Sequence, residues 1–545
     1  MGEVFNNKKI SSPFGIFFQI PVFIMATFGL YNLMEKFFYS LTKYTMVEKP
    51  TFIGFENYSY IFKDEVIRKC LGNTVVMVCV TAILLIITAV LPAIFMAKLK
   101  LPFGITVMGV FAVISITCAM LSNFFNVFFS GDSYGILNSL LMNASVIDKP
   151  IPFTQHFSAP LAVIELWLYC LAPVFSISYI AARMKHSFLG AAIAVCLIPV
   201  LMYTGGGRVT AIVGYPSNNN SADWLYTIFQ DYLMTRFDVG FAYAILFIGL
   251  IMLIGWCAVV CLVSFGLWKL FKDINLNCRA VKTIGFITFL IALQGFVIVL
   301  FFVSMYLSRA FMPLDELLVF PSHLFVKRPT LQNFSNLAPL TSNFEVSFSK
   351  YLANSLVVVP AMIMSVCLSV ALPSGVGLGL FKAFKRQKLL LFCFVPFLFI
   401  CGFFTFSWLG IVNSYNVYVF NFLSSFEFLM AVFLVYLTVK LVFYDRKPRI
   451  LGILLGSFFV LSSFYAIGVI RGIWHSGGSN IYDQNLKIWA DISAMVSSGG
   501  IARSGIAAAN DMLMLLTTVT VVMVPLALLL VLYLLYRKST KNLAK

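Results

Sequence analysis

TVVMVCVTAILLIITAVLPAIFMA, residues 74–97, runs for 24 residues without one charged side chain. At a rise of about 1.5 Å per residue, such a helix crosses the roughly 30 Å hydrocarbon core of a bilayer. Working outward, comparable apolar runs recur at about 13–34, 102–129, 158–182, 188–204, 240–268, 284–307, 354–379, 389–411, 419–441, 450–470 and 512–536. The sequence therefore predicts an all-α polytopic membrane protein with about 12 transmembrane helices. The first run follows Lys8 and Lys9 and has no small-residue cleavage site behind it, so it reads as a retained helix.

Composition agrees. Of 545 residues, 61% are hydrophobic and 11% charged, and the mean hydropathy is +0.95. Soluble domains are about 45–50% apolar and about 25% charged, which excludes a soluble enzyme, a disordered scaffold or a secreted disulfide-stapled domain. The net charge of +17 invites a nucleic-acid reading until its location is examined. With the N-terminus inside, the inner segments hold 22 basic residues against three acids, and the outer loops 16 against 16. This is the positive-inside pattern, with both termini cytoplasmic and no nucleic-acid partner. Nine of the 11 cysteines fall in apolar stretches, with Cys70 read as outside and Cys278 as inside, and the four histidines are scattered. No metal site or cofactor is implied.

The charged stretch KLFKDINLNCRAVK (269–282) divides the chain into two six-span halves, 1–275 and 276–545. Asn73-Thr74 opens the second span of the first half, as Asn354-Ser355 does in the second. GILNS at 135–139 is echoed by GIVNS at 410–414, and Gly205-Gly206-Gly207 by Gly477-Gly478. An even number of spans in each half makes these parallel repeats about an axis along the membrane normal. The long loops face outward. Within 221–237, Leu225, Ile228, Phe229, Tyr232 and Leu233 have helical spacing, which fits an outer amphipathic helix on the membrane or over a cavity, and equally a loop packed onto the spans.

No catalytic constellation, P-loop or metal cluster is present, and the chain does not read as an enzyme. Two acids stand inside spans: Glu165 in the fourth and Glu427 in the tenth, each seven or eight residues from the outer end. A charge at mid-bilayer costs about 2.5–3.5 kcal/mol on insertion scales, so such residues face a polar interior or are protonated and hydrogen-bonded to neighbours. Tyr169 shares the face of Glu165, while Trp167 points nearly the opposite way. Glu165, Glu427, Tyr169, Asn123, Asn126, Trp408 and Asn413 form a candidate substrate cavity. Aromatic and amide side chains suit sugars; for any one of these residues, packing and the interfacial aromatic belt are the stronger explanation.

FIGFENYSYIFKDEVIRKCLGNT (52–74) resembles a stretch of the permease subunits of maltose-type carbohydrate ABC importers, with Phe52, Gly54, Asn57, Tyr58, Phe62, Asp64, Asn73 and Thr74 matching. GILN (135–138), TGGGRVTAIVGY (204–215), YTIF (226–229) and DVGFAYA (238–244) resemble later stretches of that subunit. SRAFMPLDELLVFP (308–321), RPTLQNF (328–334), YLANSL (351–356) and VPLALLLVLYLLYRK (524–538) resemble the partner permease. The resemblance implies two permeases fused in one chain in the plasma membrane of a bacterium, served by an ATP-binding subunit and an extracellular sugar-binding lipoprotein, with membrane lipids around them. The chain departs from the family at the EAA coupling segment, for which the loops at 183–187 and 445–449 leave no room; GAAIAVCLIP (190–199) is a faint echo without the glutamate. Three readings follow: a fused importer permease; a motorless permease-derived scaffold holding an external protein or glycan machinery; and an uncoupled transporter or lipid-handling channel using Glu165 and Glu427.

Overall fold

The computed structural model describes residues 33–45, 48–121, 124–153, 157–183, 187–202, 223–271, 279–337 and 504–516, with Ser349 and Val519. These residues are predominantly helical. Among the described residues, four helices are long and apolar enough to cross a membrane: Glu65–Met96, Ser158–Arg183, Val239–Lys269 and Arg279–Phe311. Pro102–Ser115, Ser187–Met202 and Ser504–Leu516 are shorter apolar helices. The eighth to eleventh expected spans, nearly all of the first and most of the twelfth lie outside the described residues, as do the linker at 272–278 and the second-half repeat words.

Helix α1 (33–40) leads into a two-stranded antiparallel sheet, β1 (Thr42–Lys43) and β2 (Thr51–Phe52), with Thr42 opposite Phe52. Gly54 follows with φ +64°, a left-handed conformation that glycine adopts at no steric cost. Helix α2 (Glu56–Lys63) ends at Asp64, whose carboxylate accepts the N–H groups of Val66 and Ile67 at 2.8 and 3.1 Å and so caps the next helix. That helix, α3 (Glu65–Met96), starts nine residues before the apolar run and carries a π-helical segment at Ile86–Val90. Cys70, read as a loop residue from sequence, is therefore helical and 1% exposed.

The expected third span is not one helix. Helix α4 (Leu101–Met120) stops at Leu121, and α5 (Phe124–Phe128) follows as a separate short piece. Ser122 and Asn123 stand at this place in the sequence, but the strongly apolar residues on either side let 102–129 read as one span. The connecting segment then holds α6 (Ile136–Asn143). Helix α7 (Ser158–Arg183) is the most enclosed span, with 83% of its most apolar stretch buried. Helix α8 (Ser187–Met202) packs back against it. Close approach is allowed by small residues, as in other membrane bundles: a Cβ on Gly190 would collide with that of Ala181, and one on Gly104 with the Tyr179 ring.

Helix α9 (Leu225–Gln230), continued by a π turn at Asp231–Thr235, falls within the expected 221–237 segment. It is packed onto the spans: Trp224, Leu225, Tyr226, Ile228, Phe229 and Leu233 are all buried. Helix α10 (Val239–Phe271) leads to the linker, and α11 (Arg279–Ser308) follows it, with only 6% of its most apolar stretch buried. A 3-10 turn (Arg309–Phe311), α12 (Leu314–Leu317) and α13 (Gln332–Ser335) follow α11. Helix α14 (Ser504–Leu516) begins eight residues before the expected last span.

Candidate functional site

Glu165 and Tyr169 lie one turn apart on α7 and are 4% and 2% exposed, so the face predicted from spacing is enclosed on this span. Trp167 points elsewhere, as expected, and its indole N–H donates to Thr88 Oγ1 at 2.8 Å in the π segment of α3. Below Tyr169 the helix ladder is interrupted. Pro173 has no N–H to give to the carbonyl one turn back. Beside it, the Ser115 hydroxyl of α4 donates to Leu168 O at 3.0 Å and accepts from Ala172 N at 3.4 Å, entering the rung those two would close. At the C-terminal end of α7, Arg183 Nη1 donates to Ala97 O at 3.0 Å and Leu99 O at 3.4 Å.

Asn126 is half-buried on α5, a different element, whose phenylalanines pack against α11: Phe124 against Tyr306 and Phe128 against Phe302, with ring centroids 5.5 and 5.1 Å apart. Asn123, Trp408, Asn413 and Glu427 lie outside the described residues.

The residues of the 52–74 motif form joints. Asn57 Nδ2 lies 3.0 Å from both Ser40 O and Thr42 O, while Ile53 N–H donates to the intervening Leu41 O at 2.9 Å. The Tyr58 and Ser40 hydroxyls are 2.7 Å apart. Asn73 Nδ2 donates to Asp223 O at 2.9 Å, and Thr74 Oγ1 accepts Leu225 N–H at 2.9 Å, which fastens α9 to α3. Asp223 itself is 2% exposed, and its Oδ1 has no hydrogen-bond partner among the described residues. Burial, and next the nearby charge of Asp231, pushes its carboxyl up to about 6. Asp231 is in turn held by Arg236, Nε to Oδ2 at 2.8 Å.

After α11 the Asn57 arrangement recurs. Asn333 Nδ2 lies 3.3, 3.1 and 2.8 Å from the carbonyls of Arg309, Ala310 and Met312, and Thr330 N–H donates to the intervening Phe311 O at 2.8 Å. Each joint is closed by a glycine at the start of an apolar helix. A Cβ on Gly240 of α10 would strike Thr42 O, and one on Gly505 of α14 would lie 2.6 Å from Asn333 Nδ2. Five residues before Leu41 and Phe311 stand Lys36 and Tyr306, both fully buried. Lys36 Nζ sits 5.8 Å over the Tyr243 ring of α10, and Tyr306 donates to Asp511 Oδ2 of α14 at 2.7 Å. The polar cluster around Arg309, Tyr306 and Asp511 was not singled out from the sequence. Among the described residues, no group of three or more His, Cys, Asp or Glu could hold a metal ion.

The chain matches no known protein family, no curated protein and no solved structure.

Proposed function

We propose that this chain is the membrane-embedded, permease-like subunit of a carbohydrate transport system of the ABC type, built as a fused pair of transmembrane units in a bacterial plasma membrane. Glu165 carries this reading: an acid enclosed on the most buried described span, with Tyr169 one turn away and an interrupted helical rung below. A polar face held inside a membrane bundle has a cost that a ligand path accounts for. The paired asparagine joints support a duplicated architecture, and with it alternating access around an interior shared by the two halves. An external sugar-binding lipoprotein would meet the outer segments.

A second reading, the motorless scaffold, is favoured by one specific observation. Only three residues separate the described helices α7, to Arg183, and α8, from Ser187, on the side that the charge pattern reads as cytoplasmic. A coupling helix for an ATPase does not fit between them.

Uptake of labelled oligosaccharide by cells expressing the wild-type chain or Glu165→Gln tests the first reading. Uptake that depends on the chain and falls at least 10-fold in the variant supports it. Chain-dependent uptake that the variant leaves intact removes Glu165 from the path. Absence of uptake, with an enzyme or surface protein rather than an ATPase co-purifying from native membranes, turns the assignment to the scaffold.

A further inference from the structure

Arg309 sits at the outer end of α11 and is 3% exposed. Its backbone belongs to the Asn333 joint, but its side chain leaves that joint and enters the outer segment preceding α7. There its Nη2 donates to Tyr134 O at 2.7 Å. The receiving turn is rigid. Asp132 Oδ1 accepts the N–H groups of Tyr134 and Gly135 at 3.0 and 2.9 Å. Asn138 Nδ2 reaches Ser130 O, Asp132 O and Ile151 O at 2.9–3.0 Å, and its Oδ1 accepts Ile151 N–H at 2.9 Å. A second, weaker tie runs the same way, from Asn143 Nδ2 to Ser322 O at 3.3 Å.

A buried guanidinium has strong directional needs, and a main-chain carbonyl in a knotted turn satisfies one of them. We propose that Arg309 is the latch by which the segment after α11 holds the 130–143 segment, so that the outer ends of the two halves part only when Arg309 leaves the Asp132–Tyr134 turn. This rests on the transport reading for its use in the cycle, and it names a positioning residue for outward opening. The structure shows the latched state, with Ser139 of α6 fully buried beneath it.

The test uses the full chain in lipid nanodiscs carrying Ser139→Cys as a reporter, with Arg309 intact, Arg309→Lys or Arg309→Met. A membrane-impermeant maleimide is applied, and labelling at position 139 is read by peptide mass spectrometry. Labelling is expected to be slow with Arg309 or Lys and at least 10-fold faster with Met, which keeps length without charge. Equal rates in all three overturn the latch. Hydrogen exchange on the same samples separates release from general loosening. Faster exchange confined to 130–153 and 308–324 supports the proposal, and an equal rise over 223–238 overturns it. Failure of the transport reading would show instead as absent uptake by the wild-type chain, whatever the labelling result.

Discussion

The side-chain amide of Asn333 does for the segment after α11 what that of Asn57 does for the segment after α1: each gathers the carbonyls on both sides of one residue, Phe311 or Leu41, whose own carbonyl takes a backbone N–H from just upstream of the asparagine. The two joints use one plan at separate places in the chain, and each is closed by a helix-starting glycine.

Removing either amide leaves buried carbonyls without a donor. Such a loss costs about 1–3 kcal/mol, so Asn57→Ala and Asn333→Ala should each lower Tm in nanodiscs by several degrees and by similar amounts. An unchanged Tm for one variant would show that its joint is ornamental.

Glycine substitutions should separate by position. Gly240→Ala and Gly505→Ala force a methyl into Thr42 O or the Asn333 amide, at a cost of about 1–3 kcal/mol. At Gly109 and Gly255 nothing lies within 4 Å of an added Cβ, and alanine should be neutral or slightly stabilising. Thermal unfolding of the four variants side by side checks the contrast.

Asp223 gives stability a pH dependence of definite sign. Its carboxyl is raised in the folded state from 3.8 to about 6, so the folded chain holds the proton more tightly than the unfolded one. The associated stabilisation is complete below about pH 4 and is lost as pH rises through 6, on the order of 1–3 kcal/mol in total. Asp223→Asn should abolish that slope. Thermal unfolding between pH 4.5 and 7.5, with hydrogen exchange of 223–238 as the local readout, tests it; parallel profiles for the two proteins would refute the assignment.

The Trp167–Thr88 hydrogen bond ties α7 to the π segment of α3. Hydrogen bonds between spans average about 0.6 kcal/mol in double-mutant cycles, with a maximum near 1.7. A cycle of Trp167→Phe and Thr88→Val should give a coupling in that range. Additive effects would mean that the contact carries no energy of its own.

Much of the bundle was legible because a span is a one-dimensional signal. The helices α7, α8, α10 and α11 fall within a few residues of the apolar runs at 158–182, 188–204, 240–268 and 284–307. The start of α3 was not, because a helix continues past its apolar run wherever a cap supports it, and Asp64 supplies one before Glu65. The break at Leu121 escaped because hydropathy does not register backbone direction. Glu165 and Tyr169 were found as a pair by spacing alone. Arg309 was hidden: it reads as an ordinary outer-loop cation, and only the fold delivers Tyr134 to it. The asparagine joints were visible as motif residues, but their role depends on carbonyls 15–24 positions away in sequence.

Helix α7 is moored to the α3 side at two levels, through Trp167 to Thr88 in its first half and through Arg183 to Ala97 and Leu99 at its last described residue. Ser115 of α4 meets Leu168 O and Ala172 N between these moorings. The stretch from Leu168 to Ala182 is thereby held by two neighbours at three levels, whereas the nine residues from Ser158 to Leu166 lie beyond the first mooring.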